Sequence, residues 1–465
     1  MRLKDCGQNM SSQTQPDLRA IILRSVGGGT GIHAIGAFLG FLVGIQLARG
    51  LGADGYGVYG SAVAVARLGA TGASGGLNVL SMRDVSVSLA SSDVARVRRF
   101  LLWSTRHIAV FAFPISILAA LVLRWVIGTG ADVAVAAAVL VWMLAVITAL
   151  GGFLRGFGSI LLGMAIEAAI RPAAFSVLLF LAAILAFSLT PAAALWLTVV
   201  ALGLAMAFSL RKVGSVLRQA PTPAVAGEAR RWFNATLAMR LTVILAVVGV
   251  TGPLILVGAL SSMAEAGTFR LAVSITTLGG MLGSVTHQAF TPLFTRMHAQ
   301  GEVDRMRKLA AISVLVMAIP PAMLFGLTLA FGDWAIGGVF GEEFVPATVP
   351  TAILFVSALF YALGGVSQSV LQIQHAENAV NIASTTSVAV TLLLCLVLIP
   401  ESGPVGGAPG AAIAITAGIA VRSIVMSVLC YRKTGIDASI VGAVAFLPRA
   451  LRKWKDNRLP PAAGD

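Results

Sequence analysis

The chain has 465 residues, 57% of them hydrophobic and only 11% charged. A soluble domain carries roughly 25% charged residues, so no globular core hides this much apolar surface and a bilayer has to serve as the solvent. The formal net charge of +14 does not mark a nucleic-acid binder, because the basic residues fall in short gaps between apolar runs.

A crossing needs roughly 20 mostly apolar residues. The polar stretch before Leu18 lacks a signal-peptide layout and reads as a cytoplasmic tail. Gly27-Gly28-Gly29-Thr30-Gly31 lacks the Lys-Ser/Thr ending of a phosphate loop and follows no strand. The apolar runs then predict spans at 30–49, 57–80, 100–123, 132–153, 163–189 and 191–210, the fifth and sixth divided only by Ser188-Leu189-Thr190-Pro191. A polar linker from Arg211 to Phe233, with Pro221 and Pro223, cuts the chain near its middle. Further spans follow at 234–258, 269–291, 309–330, 347–371, 379–399 and 406–429, and the longest outer loop runs only from about Phe331 to Pro346. The expectation is an all-α, polytopic membrane protein with about 12 transmembrane helices in two six-helix bundles. The units are 1–210, a basic linker 211–233, a second bundle 234–430 and a basic tail 431–465. No room remains for a soluble catalytic domain.

Two patterns cross the whole chain. Lys and Arg crowd one set of loops: Arg96, Arg98 and Arg99, then Arg211, Lys212, Arg218, Arg230 and Arg231, then Arg296, Arg305, Arg307 and Lys308, and the tail from Arg449 to Arg458. The opposite set holds Arg49, Arg124 and Arg270. The positive-inside bias therefore predicts both termini in the cytoplasm of an inner (plasma) membrane. The second pattern is a weak repeat. Aligning Gly57 with Gly267 also matches Tyr59 to Phe269, Ala62 to Ala272 and Val63 to Val273. Six spans per half give both halves one orientation, related by an axis along the membrane normal. Small-residue ridges at Gly36, Gly40 and Gly44, at Gly279 and Gly283, and at Gly406 and Gly410 predict close helix packing.

No catalytic, metal or cofactor set is evident. Cys6, Cys395 and Cys430 are far apart, and His33, His107, His287, His298 and His375 are scattered. The sharpest feature is a group of intramembrane arginines, each costly unless it faces a cavity or a partner. Arg67 lies mid-span, Arg240 about two turns inside the seventh span, Arg171 in the fifth and Arg422 in the twelfth, and Arg270 stands at the outer end of the eighth. Glu167 is the one acidic residue set in the body of a span. Arg171 either pairs with it one helical turn away or faces a cavity with the rest. Arg240 either snorkels to the surface or does the same. His287 beside Gln288 in the eighth span completes the candidates. Surplus guanidinium charge in an aqueous cavity suits an anion, phosphate oxygens above all.

Several loops carry a resemblance. Gln46-Leu-Ala-Arg-Gly-Leu-Gly-Ala-Asp-Gly-Tyr-Gly-Val-Tyr59, Ala266-Gly-Thr-Phe269, Phe290-Thr-Pro-Leu-Phe-Thr-Arg296, Gly341-Glu-Glu-Phe344-Val-Pro-Ala347 and Leu398-Ile-Pro400 followed by Gly403 to Ala412 resemble the polysaccharide-transporter branch of the multidrug/oligosaccharidyl-lipid/polysaccharide exporters. That resemblance implies two six-helix bundles in a V around a central cavity. It implies flipping of a polyprenyl-diphosphate-linked oligosaccharide, a polysaccharide repeat unit, from the cytoplasmic to the periplasmic leaflet by alternating access, without a cofactor. The partners it implies are membrane lipids, a polysaccharide polymerase and a chain-length regulator. Rival readings are a cation-coupled multidrug exporter, which commonly uses intramembrane carboxylates, a lipid II flippase with more helices, and a membrane polysaccharide polymerase, which needs a larger outer loop.

Overall fold

The computed structural model describes residues 18–217, 228–300, 302–374 and 376–434. Every regular element among them is helical, as lipid requires, since only helices and closed barrels pair all their backbone groups internally. In chain order the helices are α1 (Leu18–Ser74), α2 (Leu77–Ala90), α3 (Val94–Leu121), α4 (Ala131–Gly156), α5 (Ile160–Ala165), α6 (Arg171–Ile184), α7 (Pro191–Leu217), α8 (Ala229–Leu260), α9 (Met263–Ala299), α10 (Val303–Phe340), α11 (Thr348–Ile373), α12 (Glu377–Leu398) and α13 (Gly407–Thr434). Ten helical stretches are long and apolar enough to cross a bilayer. The first, Gly31–Ala90, is 60 residues long and folds into two crossings. That makes about eleven crossings among the described residues, close to the expected twelve, and the 37-residue α9 runs alongside them.

The expected loop after the first span is instead a kink. Helical backbone runs through it except at Gly52, whose φ of 70° and ψ of 176° suit glycine and few other residues. Gly75 and Gly76, also at positive φ, separate α1 from α2, so the second crossing is the second limb of α1 with α2 below it. The divide between the fifth and sixth spans falls where Thr190-Pro191 placed it. The Thr190 hydroxyl accepts from the Ala193 amide at 3.2 Å, and Pro191 opens α7 with its φ already set. The expected outer loop 331–346 is a correction. Nothing before Gly341, at φ 119°, breaks the helix, so α10 continues to Phe340 and only the short 3₁₀ turn Glu342–Ala347 follows.

Two bundles result. In the first, α4 packs against α1, α2, α3 and α7; in the second, α13 packs against α11 and α12, and α11 against α9 and α10. The largest core cluster fills the first bundle, and two smaller clusters occupy opposite ends of the second. Large apolar side chains face outward throughout, with Trp125 79% and Trp334 80% exposed near one end, as in an interfacial aromatic belt.

The bundles join most tightly at the Gly52 end. A Cβ on Gly57 would strike the Met263 carbonyl and lie 2.9 Å from the Gly267 amide; one on Gly267 would strike the Ala53 carbonyl and lie 3.2 Å from the Gly57 amide. The two glycines matched by the repeat thus touch each other, with reciprocal partners four residues earlier, as a two-fold contact requires. Arg49 adds hydrogen bonds to the Val339 carbonyl (2.7 Å) and the Gly338 carbonyl (2.8 Å) at the end of α10. Glu343 accepts from the Ala53 amide at 3.1 Å, opening the second limb of α1. At the opposite end, called here the Arg96 end, α8 docks on the first bundle. Trp232, which falls in the expected linker 211–233, is buried in the first bundle's core.

Gly57→Val and Gly267→Val should each lose about 1–3 kcal/mol or more through overpacking, read as a lower midpoint in a thermal size-exclusion assay. Gly326→Ala, whose Cβ meets nothing within 4 Å, should leave that midpoint unchanged.

Candidate functional site

The second limb of α1 places Tyr59, Val63, Arg67, Ala70 and Ser74 on one face at near-fourfold spacing. That face lines a cavity of about 490 Å³ closed by α4, α6, α7, α8 and α9. Arg67, Glu167, Arg171 and Arg270, distant from one another in the chain, all contribute to its wall. Arg67 is exposed into this space. Arg270 comes from the second bundle and reaches into the first, its guanidinium carbon 4.7 Å from the Tyr56 ring centre and 4.6 Å from that of Tyr59. Gly60 makes this possible: a Cβ there would lie 2.6 Å from Arg270 Cδ. Tyr59 is held in turn. Thr198 gives its one hydroxyl proton to the Ala194 carbonyl at 2.8 Å, so at 3.0 Å the Tyr59 hydroxyl donates to Thr198 Oγ1. Phe175 stacks on Tyr59 at 6.3 Å.

Glu167 and Arg171 do not form the helical pair that their spacing allows. The backbone between them, Ile166–Ile170, is a π turn, whose wider winding rotates residues four apart off a shared face. The ion pairs among the described residues lie elsewhere. Glu167 Oε1 is buried against Gly151 and takes no hydrogen bond from the protein. The cavity therefore presents three guanidinium groups against one carboxylate.

The other candidates are placed differently. Arg240 lies at the cavity's rim and does not snorkel: its Nη2 is 2.9 Å from His107 Nε2, and its guanidinium carbon is 4.0 Å from the Phe111 ring centre. Arg422 lies apart in the second bundle, donating to Gln368 Oε1 at 2.8 Å near the Tyr361 ring. His287 and Gln288 lie on α9, and their side chains fall outside the described residues. Among the described residues no cluster of three His, Cys, Asp or Glu is spaced to hold a metal ion. Sequence reasoning missed Tyr56, Thr198 and His107. Tyr56 and Tyr59 stand in the motif after the first span, whereas His107 is 133 positions from its partner and no local pattern announces it.

No protein-family model and no curated protein matches the sequence. The fold does match solved structures. It is similar to an inward-facing multidrug resistance MATE family transporter of the MOP superfamily, with a TM-score of 0.69 and 14% identity over 86% of this chain and 94% of that one. An outward-facing transporter of that description gives 0.57 at 15% identity over 88% and 95%, and a MATE protein in complex with MaL6 gives 0.58 at 15% over 88% and 96%. At such low identity the likeness establishes the fold: this chain is built as the MATE transporters of the MOP superfamily are.

Proposed function

We propose that the chain is a flippase that moves a polyprenyl-diphosphate-linked oligosaccharide across an inner membrane by alternating access. One observation carries the reading: Arg67, Arg171 and Arg270, from both bundles, meet in a single cavity with one carboxylate. Guanidinium groups bind phosphate oxygens through paired, charge-assisted hydrogen bonds, and a low-dielectric wall strengthens each of them. The MATE-type fold supports transport rather than catalysis, and the loop resemblance supports a sugar-bearing lipid as cargo. The distribution of Lys and Arg supports a cytoplasmic Arg96 end and cytoplasmic termini. The Gly52 end then faces the periplasm, where a polymerase and a chain-length regulator would receive the product.

The fold likeness itself favours a second reading, a multidrug exporter, in which Glu167 would hold a cation. The net charge of the cavity opposes cationic drugs, since two guanidinium charges remain after Glu167 is balanced.

Two variants test the choice. Arg67→Ala should insert at wild-type level and lower export of surface polysaccharide at least tenfold, about the effect of losing one charge-assisted contact. Arg270→Gln should do likewise, with the Tyr56 and Tyr59 platform intact. Normal polysaccharide with either variant, or loss of cationic-dye efflux with polysaccharide unchanged, would overturn the anion reading.

A further inference from the structure

Arg240 and His107 form a contact that the cavity reading does not use. Arg240, Val243 and Val247 share one face of α8, at i, i+3 and i+7. Val243 and Val247 line the cavity, and Arg240 stands one turn nearer the Arg96 end. Its guanidinium occupies a slot in the first bundle. The Phe111 ring lies beneath it, and His107 faces Nη2. On another side is Gly75, where a Cβ would come within 2.8 Å of Arg240 Nε. The neighbouring Gly76 and Asn78 line the cavity, so the slot is at its rim. α8 therefore lies across the cavity's Arg96-end mouth, with Arg240 seated in the first bundle there.

An arginine only donates hydrogen bonds, so His107 Nε2 accepts, and the imidazole of this contact is neutral. Trp103 and Phe111 from its own helix, and Phe233 and Arg240 from α8, surround the ring. Arg240 is the one charged or titratable group among them, and no carboxylate of the described residues pairs with it. A proton on Nε2 removes the acceptor and sets a second cation at hydrogen-bond distance from the first. Proton and contact exclude each other.

We propose that His107 is a proton-binding site governing access to the arginine cavity: neutral, it latches α8 over the mouth through Arg240, and protonated, it releases it. About two turns, roughly 12 Å, nearer the helix start lies a natural hinge. There Trp232 Nε1 donates to Asp84 Oδ2 at 3.1 Å, and Arg96 bridges Asp84 (3.0 Å) and Glu228 (3.2 Å). Release of Arg240 lets α8 turn about that anchored first turn. The gating role rests on the cavity being the transport path; the latch itself does not.

The test uses full-length protein with Cys6, Cys395 and Cys430 replaced by alanine, reconstituted in lipid nanodiscs. Spin labels go on Thr105→Cys of α3 and Leu241→Cys of α8, both exposed, and pulsed EPR reads their separation. Going from about pH 8 to about pH 4, a range wide enough to charge an imidazole whose neighbour is a cation, the wild type should show a roughly threefold rise in its longer-distance population. His107→Gln, which keeps an acceptor and binds no proton, should stay short at both pH values. Arg240→Gln should be long at both. A wild-type distribution that ignores pH, or a His107→Gln protein that still responds, overturns the latch. The measurement needs no substrate, so a responsive latch beside an Arg67→Ala strain with normal polysaccharide would sink the cargo reading alone.

Discussion

The backbone crossing of Gly57 on Gly267 sets the rest of the structure. Two helices can approach this closely only where both lack a Cβ, and here each glycine's absent side chain is the space for the other helix's carbonyl. The crossing fixes the register of α9 against the second limb of α1. Three residues further along, that register brings Arg270 over Gly60 and between Tyr56 and Tyr59. A cation from one bundle thus becomes part of a cavity otherwise walled mainly by the other. Were the approach wider by the size of a methyl group, Arg270 would lose its ring contacts and its place beside Arg67 and Arg171.

Charge inside a bilayer is tolerated only where water, a ring or a partner receives it, and each buried cation here has a different solution. Arg67 faces the cavity. Arg270 rests on two tyrosine rings. Arg422 has an amide oxygen, and Arg240 has an imidazole and a phenyl ring. None of these is a carboxylate. A full ion pair would neutralise a guanidinium, whereas neutral acceptors and π-faces hold it in place with its charge intact. The π turn at Ile166–Ile170 has the same consequence, since it keeps Arg171 from the one carboxylate near it.

Much of this was legible in the sequence. Apolar length gave the helices, Thr190-Pro191 marked a helix start, and the repeat picked out the two glycines that prove to touch. The arginines of the cavity stood out because a charge in an apolar run has few innocent explanations. What stayed hidden depends on geometry that linear spacing does not encode. Glu167 and Arg171 are four apart, and only the winding between them decides whether they meet. The segment around Gly52 is rich in glycine and looks like a loop, yet the helix continues on both sides because one residue absorbs the whole turn. The stretch before Gly341 was read as a loop although it contains no helix breaker strong enough to end α10. His107 looked like a solitary packing residue because its partner is on a different bundle.

The two ends of the bundle pair are fastened by different chemistry, and the difference bears on how they respond. At the Gly52 end the links are Arg49 on two main-chain carbonyls and Glu343 on a main-chain amide, set on a glycine crossing. Their partners do not titrate, and helix-end dipoles favour each placement. At the Arg96 end the links run between side chains: Asp84, Arg96, Glu228 and Trp232 at the first turn of α8, and His107 with Arg240 beyond it. A proton on His107 removes one of these bonds directly. In the flippase reading, where one face opens at a time, the response of that latch lies on the Arg96 face. The opposite gate has then to be opened by something that competes for Arg270 or strains the glycine crossing. An anion drawn into the cavity meets the first condition, because Arg270 is both a wall of the cavity and a contact between the bundles.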